Sequence, residues 1–386
     1  RDPRYRGGSG ETPGPTVTVR MGEGGRVSRR ALSDNLTEQR RSEEMMRRAL
    51  GLAGKTQPHP NPRVGAVVVS EGTVVSEAAH RAAGEPHAEV LALRAAGDRA
   101  AGATVYVTLE PCSHHGRTPP CTDALISAGV SKVVVGATDP DDRVRGAGIA
   151  ELEAAGIDVV ADLFHDEVVA VDPGYFHHRR TGLPLVTLKL ATTLDGQIAA
   201  ADRTSRWITG AEARRDAHLL RSENDVVVVG AGTVRDDDPK LSIRLAGYTG
   251  RQPRPVIIAG QQPLPETASI YDRNPLIFTP RRIDLPQEQV VSESKGLVDP
   301  AAVFEELGAR GYVTALVEGG STLAASLVAG GYCDRIVFYL GAKIGLGTGV
   351  GAFAGSFATL AAAKPLQIQS VVMVGDDVRV DTRVVD

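Results

Sequence analysis

A histidine, a glutamate and two cysteines in the first half of the chain have the types and spacing of a catalytic metal site. His87 and Glu89 are two positions apart, Cys112 follows a proline, and Cys121 lies nine positions further on. A zinc ion with three protein ligands keeps a fourth position for a water that attacks a substrate, whereas a structural zinc is closed by four ligands. His-x-Glu followed by Pro-Cys and a second cysteine is the signature of zinc nucleobase deaminases, in which the glutamate transfers protons.

The spacing of the cysteines leaves alternatives open. The signature has two residues between them, whereas this chain has eight, including His114 and His115. Either the loop is simply longer, or one of these histidines competes as a ligand. The alternative is a structural zinc bound by Cys112, Cys121 and two of the three nearby histidines, with Glu89 on a solvated helix face.

These residues fall at the ends of predicted helices and strands. Short β-branched runs alternate with helical patterns, which predicts an α/β sheet covered by helices. A helix from Pro86 places His87 and Glu89 in its first turn. Cys112 follows a predicted strand, and Cys121 opens the next helix, whose dipole favours a thiolate. All four groups can therefore reach one cavity.

Composition and turn residues divide the chain into three parts. Residues 1–41 contain seven Gly, three Pro and nine Arg without an apolar period, which predicts a flexible tail. We expect a first α/β domain over residues 42–182, ended by Gly182 and Pro184, and a second over residues 183–386 that closes with antiparallel strands.

Composition also limits the classes of function. Of 386 residues, 42% are hydrophobic and 23% charged, as in soluble globular proteins. Aromatic residues make up only 4%, and the chain after residue 41 carries a net charge of −8, so we expect no nucleic-acid partner. We expect no membrane association and a cytoplasmic location, because the sequence has no apolar stretch of spanning length and no secretory leader.

The second half carries weaker signals. Two glycines before Ser321 can open a phosphate-binding helix or form an ordinary strand-helix turn. Lys189, Arg206, Arg221 and Arg244 could each bind a phosphate, although a lone basic residue is more often a surface charge or ion pair. Trp207 stacks on a ring or fills a core. A dinucleotide fingerprint is absent from the sequence, which disfavours a standard Rossmann domain.

Longer motifs carry a family resemblance. NPRVGAVVV, HRAAGEPHAE and VTLEPCSHHGRTPPC resemble the deaminase half of the bifunctional riboflavin biosynthesis deaminase-reductases, and LKLATTLDGQIA, GAGTVRDDDPKLSIR and LVEGGSTLAASL resemble the reductase half. The resemblance covers residues 43–386. It implies a cytidine-deaminase-like three-layer domain followed by a dihydrofolate-reductase-like domain. It also implies one zinc ion (Zn2+), NADPH and small phosphoribosyl pyrimidine substrates. The oligomeric state, including a homo-oligomer, stays open.

The resemblance further implies roles for particular residues. In the first half, the long cysteine loop is normal for the family, the zinc ligands are His87, Cys112 and Cys121, and Glu89 is the catalytic proton shuttle. Asn61, His80 and residues 114–118 are implied substrate contacts; Asn61 suits a pyrimidine edge because its amide both donates and accepts, the alternative being a turn residue. The implied NADP contacts are Ala191, Trp207, Thr233, Asp237, Gly320, Ser321, Thr322, Leu323, Ala324, Ala325 and Ser326. The implied substrate contacts of the second half are Lys189, Ser205, Arg221, Leu241, Arg244 and Glu318.

The function implied is two successive steps of riboflavin synthesis. The first is hydrolytic deamination of a diaminohydroxyphosphoribosylaminopyrimidine, and the second is NADPH-dependent reduction of its ribosyl chain to ribityl. Two alternatives remain: a salvage or tRNA-base deaminase with an unrelated second domain, and a zinc-stabilised binding module whose second half senses a nucleotide.

Overall fold

A computed structural model describes residues 29–116, 118–294, 296–356 and 358–385. Residues 45–386 form one compact unit, from which residues 29–44 are divided. Helix α1 spans Arg29–Ala53, so the prediction of a tail to residue 41 and a helix from Ser42 places the helix start too late. Residues 29–41 lack Gly and Pro, and their backbone can continue the helix without an apolar stripe. The rest of the predicted tail, residues 1–28, lies outside the described residues.

The first half of the compact unit is built on a five-stranded sheet in the order β2-β1-β3-β4-β5. Strands β3, β4 and β5 are parallel, and β1 is antiparallel to β2 and β3. Consecutive residues of β1, β3 and β4 are buried, which explains their continuous valine runs: helices cover both faces. The elements after α1 are β1 (Gly65–Ser70), β2 (Thr73–Ala79), α2 (Ala88–Ala96), β3 (Thr104–Leu109), α3 (Cys121–Ser127), β4 (Lys132–Ala137), α4 (Ala147–Ala154), β5 (Asp158–Val160), α5 (His165–Val171) and α6 (Pro173–Thr181).

The second half is built on a nine-stranded sheet in the order β11-β10-β9-β8-β12-β6-β13-β16-β15. Strands β11 to β13 in this order are parallel, whereas β16 and β15 are antiparallel, as the sequence predicts. The elements are β6 (Leu185–Thr193), β7 (Gln197–Ala199), α7 (Ala211–Ser222), β8 (Val226–Gly230), α8 (Ala231–Asp237), β9 (Arg254–Ile258), β10 (Leu276–Thr279), β11 (Gln289–Val291), α9 (Pro300–Ala309), β12 (Thr314–Val317), α10 (Ser321–Ala329), β13 (Arg335–Gly341), β14 (Val350–Gly351), β15 (Leu366–Val374) and β16 (Asp377–Val384).

The parallel strands decide where the second half can bind a ligand. In parallel sheets the site lies at the carboxyl edge of the strands. Glu318 directly follows β12, Gly230 is the last residue of β8, and Ala191 lies near the carboxyl end of β6. The sheet therefore brings three separate sequence motifs to one edge. Among the described helices, none combines the length and apolarity needed to cross a bilayer.

Two helical glycines provide a test of the packing. A Cβ atom on Gly308 of α9 would lie 1.9 Å from the carbonyl oxygen of Gly182, whereas a Cβ atom on Gly51 of α1 meets no described atom within 4 Å. We expect Gly308→Ala to lower the free energy of unfolding by about 1–3 kcal/mol through overpacking. The matched Gly51→Ala should raise it by about 0.5–1 kcal/mol, because alanine favours a helix. Urea denaturation measures both, and equal stability of the two variants would contradict the close approach.

Candidate active sites

His87, Cys112 and Cys121 converge in the first half to form a three-donor cluster. His87 Nδ1 lies 3.2 Å from Cys121 Sγ and 3.6 Å from Cys112 Sγ, and all three donor atoms lie within 4.8 Å of one another. Tetrahedral zinc with bonds of about 2.0 Å to nitrogen and 2.3 Å to sulfur would separate such ligands by roughly 3.5 Å. The donor set and its spacing therefore fit zinc. His114 and His115 are exposed, and among the described residues no fourth histidine, cysteine or carboxylate joins the cluster.

Secondary structure explains why these donors meet. His87 is the residue before α2, Cys112 lies three residues after β3, and Cys121 is the first residue of α3. The thiol of Cys121 hydrogen bonds to Cys112 and lowers the pKa of Cys112 to about 4, with His87 adding to the effect. One sulfur is therefore ready to ligate as a thiolate at neutral pH.

Glu89 lies beside this cluster in the first turn of α2. Its side chain is only 3% exposed, and Oε2 has no hydrogen-bond partner among the described residues. Burial raises the pKa of Glu89. A buried carboxyl oxygen without a partner is costly unless a ligand or water satisfies it. This arrangement suits a group that accepts a proton and releases it, and it argues against a solvated helix face.

Asn61 and His80 form a hydrogen-bonded pair next to His87. His80 Nδ1 lies 3.2 Å from the Pro86 carbonyl and therefore donates, which makes Nε2 an acceptor for Asn61 Nδ2 at 3.0 Å. The rings of His80 and His87 are 5.0 Å apart. Burial lowers the pKa of His80, in agreement with a neutral ring. Among the described residues, none donates a hydrogen bond to the side-chain carbonyl oxygen of Asn61, so this oxygen can accept from a substrate. Of the loop 114–118, Thr118 Oγ1 lies 3.5 Å from His87 Nε2, whereas Arg117 lies outside the described residues.

Sequence reasoning missed Glu110, which holds the cysteine loop in place. Its two carboxylate oxygens accept from the backbone amides of Asp139 at 3.2 Å, Gly146 at 3.0 Å and Gly148 at 3.0 Å. A Cβ atom on Gly148 would lie 2.0 Å from the carbonyl oxygen of Pro111. The start of α4 thus packs directly on the residue before Cys112. The signal was the acidic residue before Pro-Cys at the end of a buried strand.

A charged cluster occupies the carboxyl edge of the second sheet. Arg221 binds Glu318 through two hydrogen bonds of 2.5 and 2.9 Å, and Lys189 Nζ lies 4.0 Å from Glu318 Oε2. Burial opposes ionisation of Glu318, but Arg221 and Lys189 lower its pKa to about 2. Burial is the main cause that lowers the pKa of Arg244, and the charge of nearby Arg221 lowers it further. Burial lowers the pKa of Lys189, whereas the charge of Glu318 raises it. Arg221 and Arg244 alone carry two positive charges against one carboxylate, so the cluster is positive and suits a phosphate.

Trp207 and Ser205 line a separate cavity of about 220 Å³ in the second half. The Trp207 side chain is 59% exposed, and the Arg214 guanidinium lies 4.3 Å from its ring centroid, so it does not fill the core. Arg206 Nη2 donates to the carbonyl of Asp237 at 2.7 Å, which ties this loop to α8, the helix of Thr233. Helix α8 lies where the sequence predicts a loop after β8, because its seven residues include a glycine and are too short for a clear period.

The glycine-rich segment after β13 forms another wall of this cavity. Asp195 accepts from the amides of Gly345 at 2.9 Å and Gly347 at 3.0 Å. Gly347 has a φ of 73°, and a Cβ atom on Gly349 would lie 2.2 Å from the carbonyl of Ala199. The glycines are therefore required for the segment to wrap onto Asp195 and β7. The sequence shows the glycines but not the carboxylate that organises them.

The remaining predicted contacts lie on the same sheet edge or near it. Gly320 precedes α10, whose first turn has no side-chain cap and leaves amides available to an anion. The other residues of this turn are Ser321, Thr322, Leu323, Ala324, Ala325 and Ser326. Leu241 is buried with a φ of 50°, and Ala191 pairs with Tyr339 across β6 and β13.

Two family models match complementary parts of the chain. Residues 39–137 match the cytidine and deoxycytidylate deaminase zinc-binding region, and residues 184–379 match the RibD C-terminal domain. The fold and these matches define a two-domain enzyme with a zinc-binding deaminase domain and a reductase domain. The riboflavin biosynthesis protein RibD of Escherichia coli strain K12 is 41% identical over 322 residues, covering 78% of this chain and 88% of that protein.

Solved structures agree with this class. Acinetobacter baumannii RibD superposes with a TM-score of 0.84 at 34% identity, covering 90% of this chain and 99% of that one. A diaminohydroxyphosphoribosylaminopyrimidine deaminase/5-amino-6-(5-phosphoribosylamino)uracil reductase from Thermotoga maritima gives 0.83 at 33% identity, covering 90% and 100%. The chain belongs to the RibD family of riboflavin biosynthesis proteins. The expected α/β class, the order of the two domains and the bifunctional deaminase-reductase assignment are confirmed, and an unrelated second domain is excluded.

The buried cluster around Glu318 makes a prediction about acid stability. Glu318→Gln leaves Arg221 and Lys189 without their carboxylate and should cost roughly 3–5 kcal/mol at pH 7. Because the pKa of Glu318 is lowered from 4.5 to about 2, its contribution is complete above pH 4.5 and is lost as the pH falls toward 2. The stability difference between wild type and variant should therefore narrow across this range in urea titrations. The exposed Glu305→Gln is the control, and a difference that stays constant with pH would contradict the assignment.

Proposed function

We propose that this chain catalyses two successive steps of riboflavin biosynthesis in two domains. Residues 42–182 would deaminate a diaminohydroxyphosphoribosylaminopyrimidine by hydrolysis, and residues 183–386 would reduce the ribosyl chain of the product to ribityl with NADPH. The observation that carries the proposal is the buried, unpartnered carboxyl oxygen of Glu89 beside the cluster of His87, Cys112 and Cys121. A purely structural metal site has no use for such a group.

In the deaminase domain the chain's own groups bind the ring and move a proton. We assign zinc to His87, Cys112 and Cys121; when bound, zinc lowers the pKa of a water in its open position. Glu89 takes a proton from the attacking water and delivers it to the departing amino group, which leaves as ammonia. Asn61, held by His80, offers its amide to the ring edge.

In the reductase domain the main task is to position two molecules, because the cofactor carries the chemistry. NADPH supplies a hydride to the sugar carbon. We assign the phosphate of the substrate to Lys189, Arg221 and Arg244, because their combined positive charge exceeds the negative charge of Glu318. We assign the cofactor to the cavity beside Trp207 and to the amides at the start of α10. The sheet edge carries both the phosphate-binding residues and the cofactor-binding residues. It therefore sets the orientation of the hydride-donating carbon of NADPH relative to the sugar carbon that accepts the hydride.

Glu89→Gln tests the deaminase step. The amide keeps the shape of the side chain but cannot shuttle a proton, so ammonia release from the pyrimidine should fall about 10²–10⁴-fold. Zinc content, measured by metal analysis, should stay at the wild-type level, and NADPH oxidation with pre-deaminated substrate should be unchanged. The exposed Glu153→Gln is the matched control. Undiminished ammonia release in Glu89→Gln would refute the role of Glu89 and favour a zinc-stabilised binding module.

The only tryptophan of the chain reports on the cofactor site. Trp207 lies on the wall of the second-half cavity, so we expect NADPH to quench its fluorescence saturably, and Trp207→Phe to abolish the signal while raising the KM for NADPH. Ammonia release without NADPH should be the same in both proteins. Titration with NADH in parallel measures the preference between cofactors. An emission unaffected by saturating NADPH in an active enzyme would remove Trp207 from the site.

A further inference from the structure

His59 lies at the junction between the two halves, buried between two carboxylates. Its Nε2 is 3.0 Å from Asp172 Oδ1 in the first half, and its Nδ1 is 3.3 Å from Oδ1 of Asp225, the residue before β8 in the second half. The side chains of His59, Asp172 and Asp225 are all at most 4% exposed. Carboxylates accept hydrogen bonds and do not donate them, so both ring nitrogens must carry protons. His59 is therefore an imidazolium that links the two halves.

The other oxygens of both carboxylates are fixed by backbone amides. Asp225 Oδ2 accepts from Val313 at 2.9 Å and Thr314 at 3.1 Å, and Asp172 Oδ2 accepts from Arg63 at 2.9 Å. Neither carboxylate can turn away from His59 without losing these bonds. The ring is thus held in one orientation, which a solvent-exposed pair would not achieve.

The backbone beside His59 is tied to the second half as well. Arg251 donates to the His59 carbonyl at 3.1 Å and to Asp225 Oδ1 at 2.8 Å. The backbone amide of Asn61 donates to the Pro58 carbonyl at 3.2 Å. Asn61 Nδ2 then reaches His80, whose ring contacts that of His87. A continuous series of contacts therefore runs from a carboxylate of the reductase half to the pyrimidine-binding amide of the deaminase half.

We propose that His59 is a positioning residue for deamination: clamped between Asp172 and Asp225, it holds Asn61 in its substrate-binding position, so the reductase domain completes the deaminase site. This inference rests on the proposed role of Asn61 in binding the pyrimidine. It concerns substrate binding, since His59 touches neither the zinc ligands nor Glu89. Its loss therefore affects the population of binding-competent loops and not the proton transfer.

The charges around His59 set the direction of its pH dependence. Burial alone would lower the pKa of His59, but the hydrogen bonds and charges of Asp172 and Asp225 outweigh burial and raise it to about 9. Arg251, Arg254, Arg310 and Tyr312 line a cavity together with Asp225 and Pro60. Further charged or titratable groups near the junction include Arg63, whose backbone amide donates to Asp172, Arg179, which donates to the Pro60 carbonyl, and His178, which contacts the Gly308 carbonyl. Above pH 9 one ring nitrogen faces a carboxylate without a proton, so the clamp weakens as the pH rises.

The test compares His59→Gln with His178→Gln in the full-length, zinc-loaded protein. Glutamine lacks the charge and cannot donate to both carboxylates, so the deaminase KM should rise about tenfold if the competent fraction falls to about a tenth. Deaminase kcat, zinc content and reductase constants should change less than about twofold. His178→Gln also removes a hydrogen bond between the halves, at α9, but should leave the deaminase KM unchanged. A wild-type KM in His59→Gln would overturn the inference.

Two measurements keep the inference testable under other outcomes. In the wild type, the deaminase KM should rise as the pH passes about 9, whereas the KM of His59→Gln should not change with pH. If that variant does not fold, a wild-type KM that stays constant with pH overturns the inference.

The second measurement, hydrogen exchange, does not require an active enzyme. The amides of Asn61 and Arg63 should exchange about tenfold faster in His59→Gln, and that of Gly182 should not. If wild type releases no ammonia, the proposed function fails, and unchanged exchange would overturn the inference separately.

Discussion

The approach of one imidazole and two thiols to within a few ångströms is the constraint on which the first half depends. Their donor atoms come from a helix entrance, a strand exit and a second helix entrance, all at the same end of the five-stranded sheet. Bringing three such groups together is favourable only if a proton or a metal ion reduces the repulsion between ionised sulfurs. The valine-rich strands provide the rigid frame that makes the approach possible, and Glu89 lies buried beside the three donors in the first turn of α2.

The second half solves a different problem with the same rule of sheet geometry. Its parallel strands bring Lys189 and Glu318 side by side, and Arg221 reaches them from α7. Burial makes the carboxylate costly unless it is paired, and the pair in turn holds two cations in place. A fixed cluster with excess positive charge is a preorganised phosphate site, because little freedom remains to be lost when a ligand binds.

The sequence predicts the features that depend on residues close together in the chain. The His-x-Glu and Pro-Cys motifs predict the cluster, and turn residues and β-branched runs predict most strands and helices. The motif spacing could not decide between three zinc ligands and four, because it does not give the distance in space of His114 and His115 from the cluster. The sequence also could not reveal Glu110, Asp195 or the His59 contacts, since their partners lie tens to hundreds of residues away and carry no pattern of their own. Helix α1 begins earlier than expected because helix formation needs no apolar stripe where glycine and proline are absent.

The hydrogen bonds of Glu110 bear on where the first domain ends. The match to the deaminase zinc-binding region ends at residue 137, yet the amides that bind Glu110 belong to Asp139, Gly146 and Gly148. A fragment cut at the end of the matched region would keep every metal-binding side chain and lose the support beneath the cysteine loop. The first domain is therefore longer than the stretch that matches the family model, and the backbone amides that bind Glu110 lie beyond that stretch.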